Sequence, residues 1–558
     1  MKTALCNGKI YTVEGEGWDQ FPAEAVVYNS DGIIELVGTS DEAKAALTDE
    51  DRVIDLEGRM VLPGFIDGHV HVPGDAYAEL FELDLTGVPW DGISQAVRAF
   101  VNSHADQDII FGSGFNIGMV DDQGNPICAE WIDAGCCDTP VVIRSIDMHS
   151  RLLNTKAMQM LGITEETVSV RGIVHKDASG RPTGVFTDAR DIVNIEAEHS
   201  HADKIRAIEH FQEKMNQWGY TAMMAIAPNM DLTPDIYFEL DDVGDLTLRV
   251  NCSEILRPED PDGSFRRILQ LKEQISVCNE KISFTTAKIA LDGVIEGETA
   301  YLHEPYADND ENNKDYRGEP NWSVEELTEY ITKFDKEGLQ VHIHSIGDAA
   351  TSISFRAIQE AQKQNGAREN RHVITHLQLV DKDDITGFAK ENIIAAIQPF
   401  WHCKEPDWFE FVDQKALGMK RAEAEYPGKE FIDAGVVITA SGDFPVSPEN
   451  DPLLGIQIGV TRNLPKDNEY GVEVTDDRFV LGAEQRIPLK NMIEAYTING
   501  AYQLFREDEV GSIKAGKKAD LVILDKDLFV IDPMEITTAK VCRTIFNGKT
   551  VYLGQEEQ

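Results

Sequence analysis

The chain has 558 residues, 42% of them hydrophobic and 27% charged, and a formal net charge of −47 from 98 acidic against 51 basic residues. That length exceeds one simple core and predicts two to four structural units with the composition of an ordinary soluble protein. The acidic excess is spread along the chain, so it reads as a solvated surface and disfavours nucleic acid and anionic membranes as partners.

The opening stretch, "MKTALCNGKIYTVEGEG", lacks an apolar core of signal-peptide length, and no run of about 18 apolar residues follows anywhere. The eight cysteines, from Cys6 to Cys542, are scattered without a Cys-x-x-Cys, the pattern of reduced thiols in a cytoplasmic protein. Over the first 60 residues, "TALCNGKIYTV", "AEAVVYNSDGIIELVG" and "DRVIDLEGRMVLPG" read as short strands between Asn-Gly, Asp-Gly and Glu-Gly turns. The far end repeats the style in "GSIKAGKKADLVILDKD" and "KVCRTIFNGKTVYLG", which predicts one small sheet domain built from both termini.

Between the termini, strand-like and helix-like runs alternate. The strands are "VLPGFIDGHVHV", "GYTAMMAIA", "LTLRVNCSEI", "ISFTTAKIAL", "LQVHIHSIG", "RHVITHLQLV", "NIIAAIQPF" and "GVVITASGD". Amphipathic stretches such as "SVEELTEYITKFDKEG" intervene. Eight strands with intervening helices predict an α/β fold, a parallel (β/α)8 TIM barrel. About 130 residues separate the first and second strands, too many for one crossover, so they read as an inserted subdomain. The expected division is 1–60 plus 485–558 as a composite β-sandwich domain, 61–74 plus 206–484 as the barrel, and 75–205 as the insert.

Polar residues collect at the ends of these strands. His69 and His71 are two apart on the first strand and so share a face. Lys288 lies in an otherwise apolar fourth strand, where an ammonium must find a partner or lose its proton. His344 ends the fifth strand, His376 the sixth and Asp443 the eighth. Side chains at the C-terminal ends of barrel strands face one mouth, and four histidines with a carboxylate suit a borderline divalent cation such as Zn2+. His342 lies one layer below His344 and reads as packed or supporting; the same reasoning prefers His376 to His372. His199 and His201 sit in a helix-like context, where positions two apart diverge.

The motifs "LPGFIDGHVH", "AKIALDG", "VHIHSIGDAA", "VITHLQLV", "AAIQPF", "ASGDFPVSPENDPLLGI" and "GSIKAGKKADLVILD" together resemble the metal-dependent amidohydrolase superfamily. More narrowly they are similar to the amidohydrolase 3 group, which includes N-substituted formamide deformylase, and the resemblance spans the whole chain. It implies that His69 and His71 bind the more buried metal, with Asp443 both ligand and general base. It implies that His344 and His376 bind a second metal. Lys288 matches the position that is a bridging carbamate, N6-carboxylysine, in binuclear members. The alternatives for Lys288 are an ammonium paired with Asp292 or Asp443, or an unmodified lysine beside one ion. The expected cofactor is one or two divalent ions, Zn2+ first, with Mn2+ or Fe2+ as alternatives.

The resemblance also places Asp147 and His149, in "RSIDMHSRLLN", near the mouth as substrate contacts. Trp401 and His402 follow the seventh strand as further candidates, although the histidine comes three residues after Gln-Pro where the family often has two. Asp188 stands where relatives often carry Glu. Phe400, Trp401, Trp408 and Phe409 suggest an apolar wall. The implied activity is hydrolysis of a non-peptide C–N bond in a small linear amide, an N-substituted formamide or N-acyl amine, by metal-activated hydroxide. The alternatives are a deaminase or cyclic amidase acting on a heterocycle, or a catalytically silent binding protein. A homodimer is the expectation at family level.

Overall fold

Eight parallel strands form one sheet: β1 (Phe65–Val70), β2 (Tyr220–Ala225), β3 (Arg249–Ile255), β4 (Ile282–Ala290), β5 (Gln340–Ser345), β6 (Val373–His376), β7 (Ile394–Ile397) and β8 (Ile438–Ala440). The computed structural model describes residues 1–105, 107–145, 150–170, 172–187, 189, 191–195, 197–226, 233–275, 279–309, 314–468 and 470–555. The strands run in chain order around a nearly closed barrel, each paired with its sequence neighbour. Every residue of β1, β2, β6, β7 and β8 is buried. Burial on both faces is why these strands read as continuous apolar runs instead of alternating ones.

The seam between β8 and β1 is bridged by a side-chain amide. Gln503 Nε2 donates to Gly68 O (2.8 Å), and its Oε1 accepts from Thr439 Oγ1 (2.5 Å). A Cβ at position 68 would come within 3.2 Å of that amide, so glycine permits the close approach.

Helices α1 (His201–Gln217), α2 (Asp235–Val243), α3 (Pro261–Ile275), α4 (Val324–Lys336), α5 (Asp348–Asn365) and α6 (Lys382–Lys390) fall between the strands. Helix α4 shows how sequence specifies them. Ser323 caps the start by accepting from Glu326 N, and Glu326 reaches back to Ser323 N. Leu327, Tyr330, Ile331 and Phe334 then fall on one face and are buried, each worth about 1.5–3 kcal/mol if fully removed from water. Helix α1 begins only at His201; His199 precedes it and stacks on Tyr77 with ring centroids 4.0 Å apart.

The termini build two sheets. One has the order Ile34–Gly38, Ala25–Asn29, Lys2–Cys6, Arg52–Asp55; the other has the order Lys9–Ile10, Met60–Pro63, Leu521–Leu524, Val541–Phe546, Lys549–Leu553. They share a core that includes Leu5, Val26, Ile34, Val61, Ile523 and Ile545. Met60–Pro63 leads through Gly64 straight into β1, so one extended run serves the second of these sheets and the barrel. A Cβ on Gly64 would lie 2.3 Å from the Thr221 side chain. A buried ion pair, Arg249 Nε to Asp520 Oδ2 at 2.9 Å, ties β3 to the segment entering Leu521–Leu524. Helices Leu489–Ala495 and Ile498–Gln503 flank the barrel, Tyr496 O accepting from Ile66 N.

Residues Pro73–His210 form a separate compact unit. Its six-stranded sheet has the order Ile173–Lys176, Pro182–Thr187, Ser150–Leu153, Val141–Ser145, Ile110–Phe115, Leu83–Asp84. Val141 and Ile143 enter one apolar cluster with Ile93, Val97 and Ile132; Val142 enters another with Ala157 and Phe186. The two-residue period of the strand thus feeds a core on each face. Among the described residues, no helix is long and apolar enough to cross a membrane, and the seven cysteines are free thiols.

Candidate metal centre

The strand order brings His69 and His71 of the β1 end beside Asp443, three residues beyond β8. His69 Nε2 lies 3.2 Å and His71 Nε2 3.3 Å from Asp443 Oδ1. His71 N donates to Phe444 O at 2.9 Å, which fastens the two strand ends together. One ligand atom from each of the three residues lies within 4.8 Å of the others, the one such group of histidine, cysteine and carboxylate among the described residues. His69 Nε2 and Asp443 Oδ1 are buried without a hydrogen-bond partner. Buried polar atoms are nearly always satisfied, so a convergent pair left unsatisfied fits a bound cation.

Two carbonyl acceptors fix which ring nitrogens of His344 and His376 carry protons. His344 Nε2 donates to Gly293 O (3.0 Å), leaving the lone pair on Nδ1. Gln398 Nε2 donates to Ser441 Oγ (2.9 Å) and Thr375 Oγ1 (3.3 Å), so its Oε1 accepts from His376 Nδ1 (2.9 Å) and the His376 lone pair sits on Nε2. His69 Nδ1 lies 2.9 Å from His342 Nε2 and 3.3 Å from Thr375 Oγ1. With its proton on Nδ1, His69 keeps the Nε2 lone pair facing Asp443. Such outer contacts orient metal-binding imidazoles and raise their basicity. The rings pack closely: centroids are 5.1 Å apart for His69 and His376, and 4.4 Å for His344 and His376.

Burial, reinforced by the neighbouring Lys288 and histidine charges, holds His69, His342 and His376 well below the ordinary imidazole range and His344 at about 4. All four are therefore neutral near pH 7, the form a metal requires. Burial would push the Asp443 carboxyl up, but His71, His376 and Lys288 outweigh it and hold it below the usual value, so it stays an anion. Burial lowers Lys288 to about 7, against the pull of Asp443, and so favours the free amine. Among the described residues Lys288 forms no ion pair with Asp292 or Asp443. Asp292 instead accepts from Ile346 N, Gly347 N and Tyr301 N, bracing the turn after β5. Two site residues, His376 and Asp443, have left-handed backbones (φ 75° and 56°). Conformations of this kind cost of order 1–3 kcal/mol each and persist where their surroundings impose them.

The expected substrate contacts divide. Trp401 stacks on His376, with centroids 5.6 Å apart and planes 24° apart, and its Nε1 donates to Ser447 Oγ at 3.0 Å. His402 is fully buried and stacks on Tyr426 at 4.7 Å. Phe400 and Phe409 are buried, whereas Trp408 is 45% exposed. Asp147, His149 and Asp188 lie outside the described residues. His372 bonds Asp335 Oδ1 at 3.1 Å, at the opposite end of β6 from His376. The sequence reading passed over Gln398, although "AAIQPF" places a glutamine at a strand tip. It also passed over Asp67, a buried carboxylate inside "FIDGHVH" that carries the same signal as Lys288.

A model of the amidohydrolase family (Amidohydro_3) matches residues 52–552. The Bacillus subtilis (strain 168) protein YtcJ is 28% identical over 99% of each chain. An N-substituted formamide deformylase from Arthrobacter pascens is 24% identical over 98% of each chain. Among solved structures, an uncharacterized metal-dependent hydrolase from Pyrococcus horikoshii OT3 superposes with a TM-score of 0.74 at 24% identity, covering 96% of this chain and 99% of that one.

Proposed function

We propose, from the premise that the chain belongs to the amidohydrolase family, that it hydrolyses a non-peptide C–N bond in a small linear amide, an N-substituted formamide or N-acyl amine. The observation that carries this reading is the convergence of His69 Nε2, His71 Nε2 and Asp443 Oδ1, two of them buried and unpartnered. The similarity to a protein named as a formamide deformylase supports the substrate class. His69, His71 and Asp443 would hold one divalent ion, and His344 and His376 a second. Lys288, carboxylated on Nζ, would join the two; its depressed pKa supplies the neutral amine that carboxylation needs. Zn2+ is the ion this donor set suits best.

When bound, a divalent cation lowers the pKa of water from 15.7 to about 7 and polarises a carbonyl. Asp443, anionic at neutral pH, accepts the proton of the attacking water and hands it to the leaving nitrogen, which departs as amine while the carbonyl carbon leaves as acid. His344 and His376, neutral and fixed in tautomer, keep their lone pairs available throughout. The indole of Trp401 lies flat against His376 and would wall that side of the mouth. The test is a product-resolved screen of formamides, acyl amines and small heterocycles with metal-loaded protein. Acid plus amine from a linear substrate is expected; ammonia release or ring opening alone would overturn the substrate class. Asp443→Asn with metal retained should lose about 10²–10⁴ in kcat, and near-normal turnover would remove the carboxylate from its role.

A further inference from the structure

Asn450 lies seven residues beyond Asp443, in the loop that follows β8, and is fully buried. Its Nδ2 donates to Asp67 Oδ2 at 2.7 Å. The other oxygen of Asp67, Oδ1, accepts from His69 N at 2.9 Å. Asp67 is itself fully buried and faces away from solvent on the same strand as His69. Two hydrogen bonds therefore run from the β8 loop to the backbone of His69.

The same amide also touches the backbone next to Asp443. A Cβ on Gly442 would lie 2.2 Å from Asn450 Oδ1, so glycine at 442 is what lets the amide seat against the chain there. The next residue, Asp443, has φ 56°, a conformation its surroundings have to impose. Asn450 is anchored from the other side as well. Asp451 caps helix Pro452–Thr461 by accepting from Leu453 N at 2.9 Å, and that helix is buried along most of its length. The side chain at 450 is thus mounted on a rigid element. It reaches His69 through a carboxylate and lies against Gly442, the residue that precedes Asp443.

We propose that Asn450 is a positioning residue for the cluster: through Asp67 and Gly442 it sets the spacing between His69 and Asp443. The inference rests on the reading of that cluster as a metal centre. Contacts that orient metal ligands in this way typically change metal affinity 10–100-fold when removed. A residue that merely filled space would instead change folding stability and leave the affinity of the folded protein alone.

The experiment measures Zn2+ dissociation constants by chelator competition, and melting of the metal-free protein, for wild type, Asn450→Ala, Asn450→Asp, Asp67→Asn and the double swap Asp67→Asn with Asn450→Asp. In the swap, an amide at 67 still accepts from His69 N and donates to a carboxylate at 450, so both bonds survive with only the 67–450 bond reversed. The expected result is Zn2+ binding weakened about 10–100-fold in Asn450→Ala, weakened in both single exchanges, and largely restored in the swap. The restoration should appear whether or not the melting temperatures differ. Wild-type affinity in Asn450→Ala would overturn the inference, and so would a swap that binds no better than Asn450→Asp alone. Absence of Zn2+ binding by the wild type would overturn the metal-centre reading and this inference with it; normal wild-type binding with unaffected variants overturns the inference alone.

Discussion

Replacing Gln398 by leucine isolates the contribution of a single amide to the histidine cluster. Leucine has a similar volume, so the change removes hydrogen bonds without opening a large cavity. Gln398 is fully buried and makes three bonds: from His376 Nδ1, to Ser441 Oγ and to Thr375 Oγ1. The hydroxyls of Ser441 and Thr375 lose a donor but still have their own O–H to place, whereas the His376 N–H is left buried and unpaired, at a cost of about 1–3 kcal/mol. The ring also loses the contact that keeps its proton on Nδ1. The proton is then free to sit on the nitrogen meant for the metal. The expected outcome is a Zn2+ affinity weaker by about 10–100-fold, equivalent to about 1.4–2.8 kcal/mol. Chelator competition measures the affinity, and thermal unfolding of the metal-free protein measures the stability loss separately. Gln398→Glu keeps an acceptor opposite His376 Nδ1 and should retain most of the affinity. Unchanged affinity in Gln398→Leu, or an equal loss in Gln398→Glu, would refute the tautomer argument.

Acid should unfold the metal-free protein early. His69, His342, His344 and His376 have folded pKa values below the unfolded value of about 6.5. Their contribution is full above that value and is lost as pH falls toward the folded value, about 4 for His344. Stability should therefore decline between pH 6.5 and 4, by up to about 1.4 kcal/mol per pH unit for each histidine, and a flat denaturation midpoint there would contradict the assignment. Arg249→Met breaks the buried pair with Asp520 and should cost about 3–5 kcal/mol, read as a lower midpoint in urea; a change below 1 kcal/mol would show the pair to be dispensable. Lys288→Ala should remove the bridging donor and with it the second ion, with hydrolysis recovered on adding short carboxylates such as propionate. Two ions retained in that variant would exclude a bridge at Lys288.

The barrel was legible because its strands are buried on both faces and so appear as eight apolar runs separated by amphipathic helices. The positions of His69, His71, His344, His376 and Asp443 followed from one rule, that strand ends share a mouth. Lys288 was visible as a charge in an apolar run. The residues that hold these groups in place were harder to see. Gln398, Asn450 and Gln503 are polar residues of a kind common in turns, and nothing in their local sequence shows that each is buried and bridges distant segments. The left-handed backbone at Asp443 is equally silent, because aspartate adopts it without any sequence signature. His402 shows how little a strand tip specifies on its own. The chain turns after β7 through the short 3₁₀ turn Pro399–Trp401, and the His402 ring is buried against Tyr426 with neither nitrogen hydrogen-bonded among the described residues, an environment set by packing beyond the local sequence.

Elemental analysis coupled to turnover tests the central claim most directly. Wild-type protein dialysed against Zn2+ and then against metal-free buffer should retain about one to two ions per chain and cleave a linear amide to acid and amine. The His69→Ala/His71→Ala double variant, folded by circular dichroism, should lose ions and turnover together. Amide hydrolysis that persists in the double variant, or in wild-type protein stripped of metal by a chelator, would contradict the account.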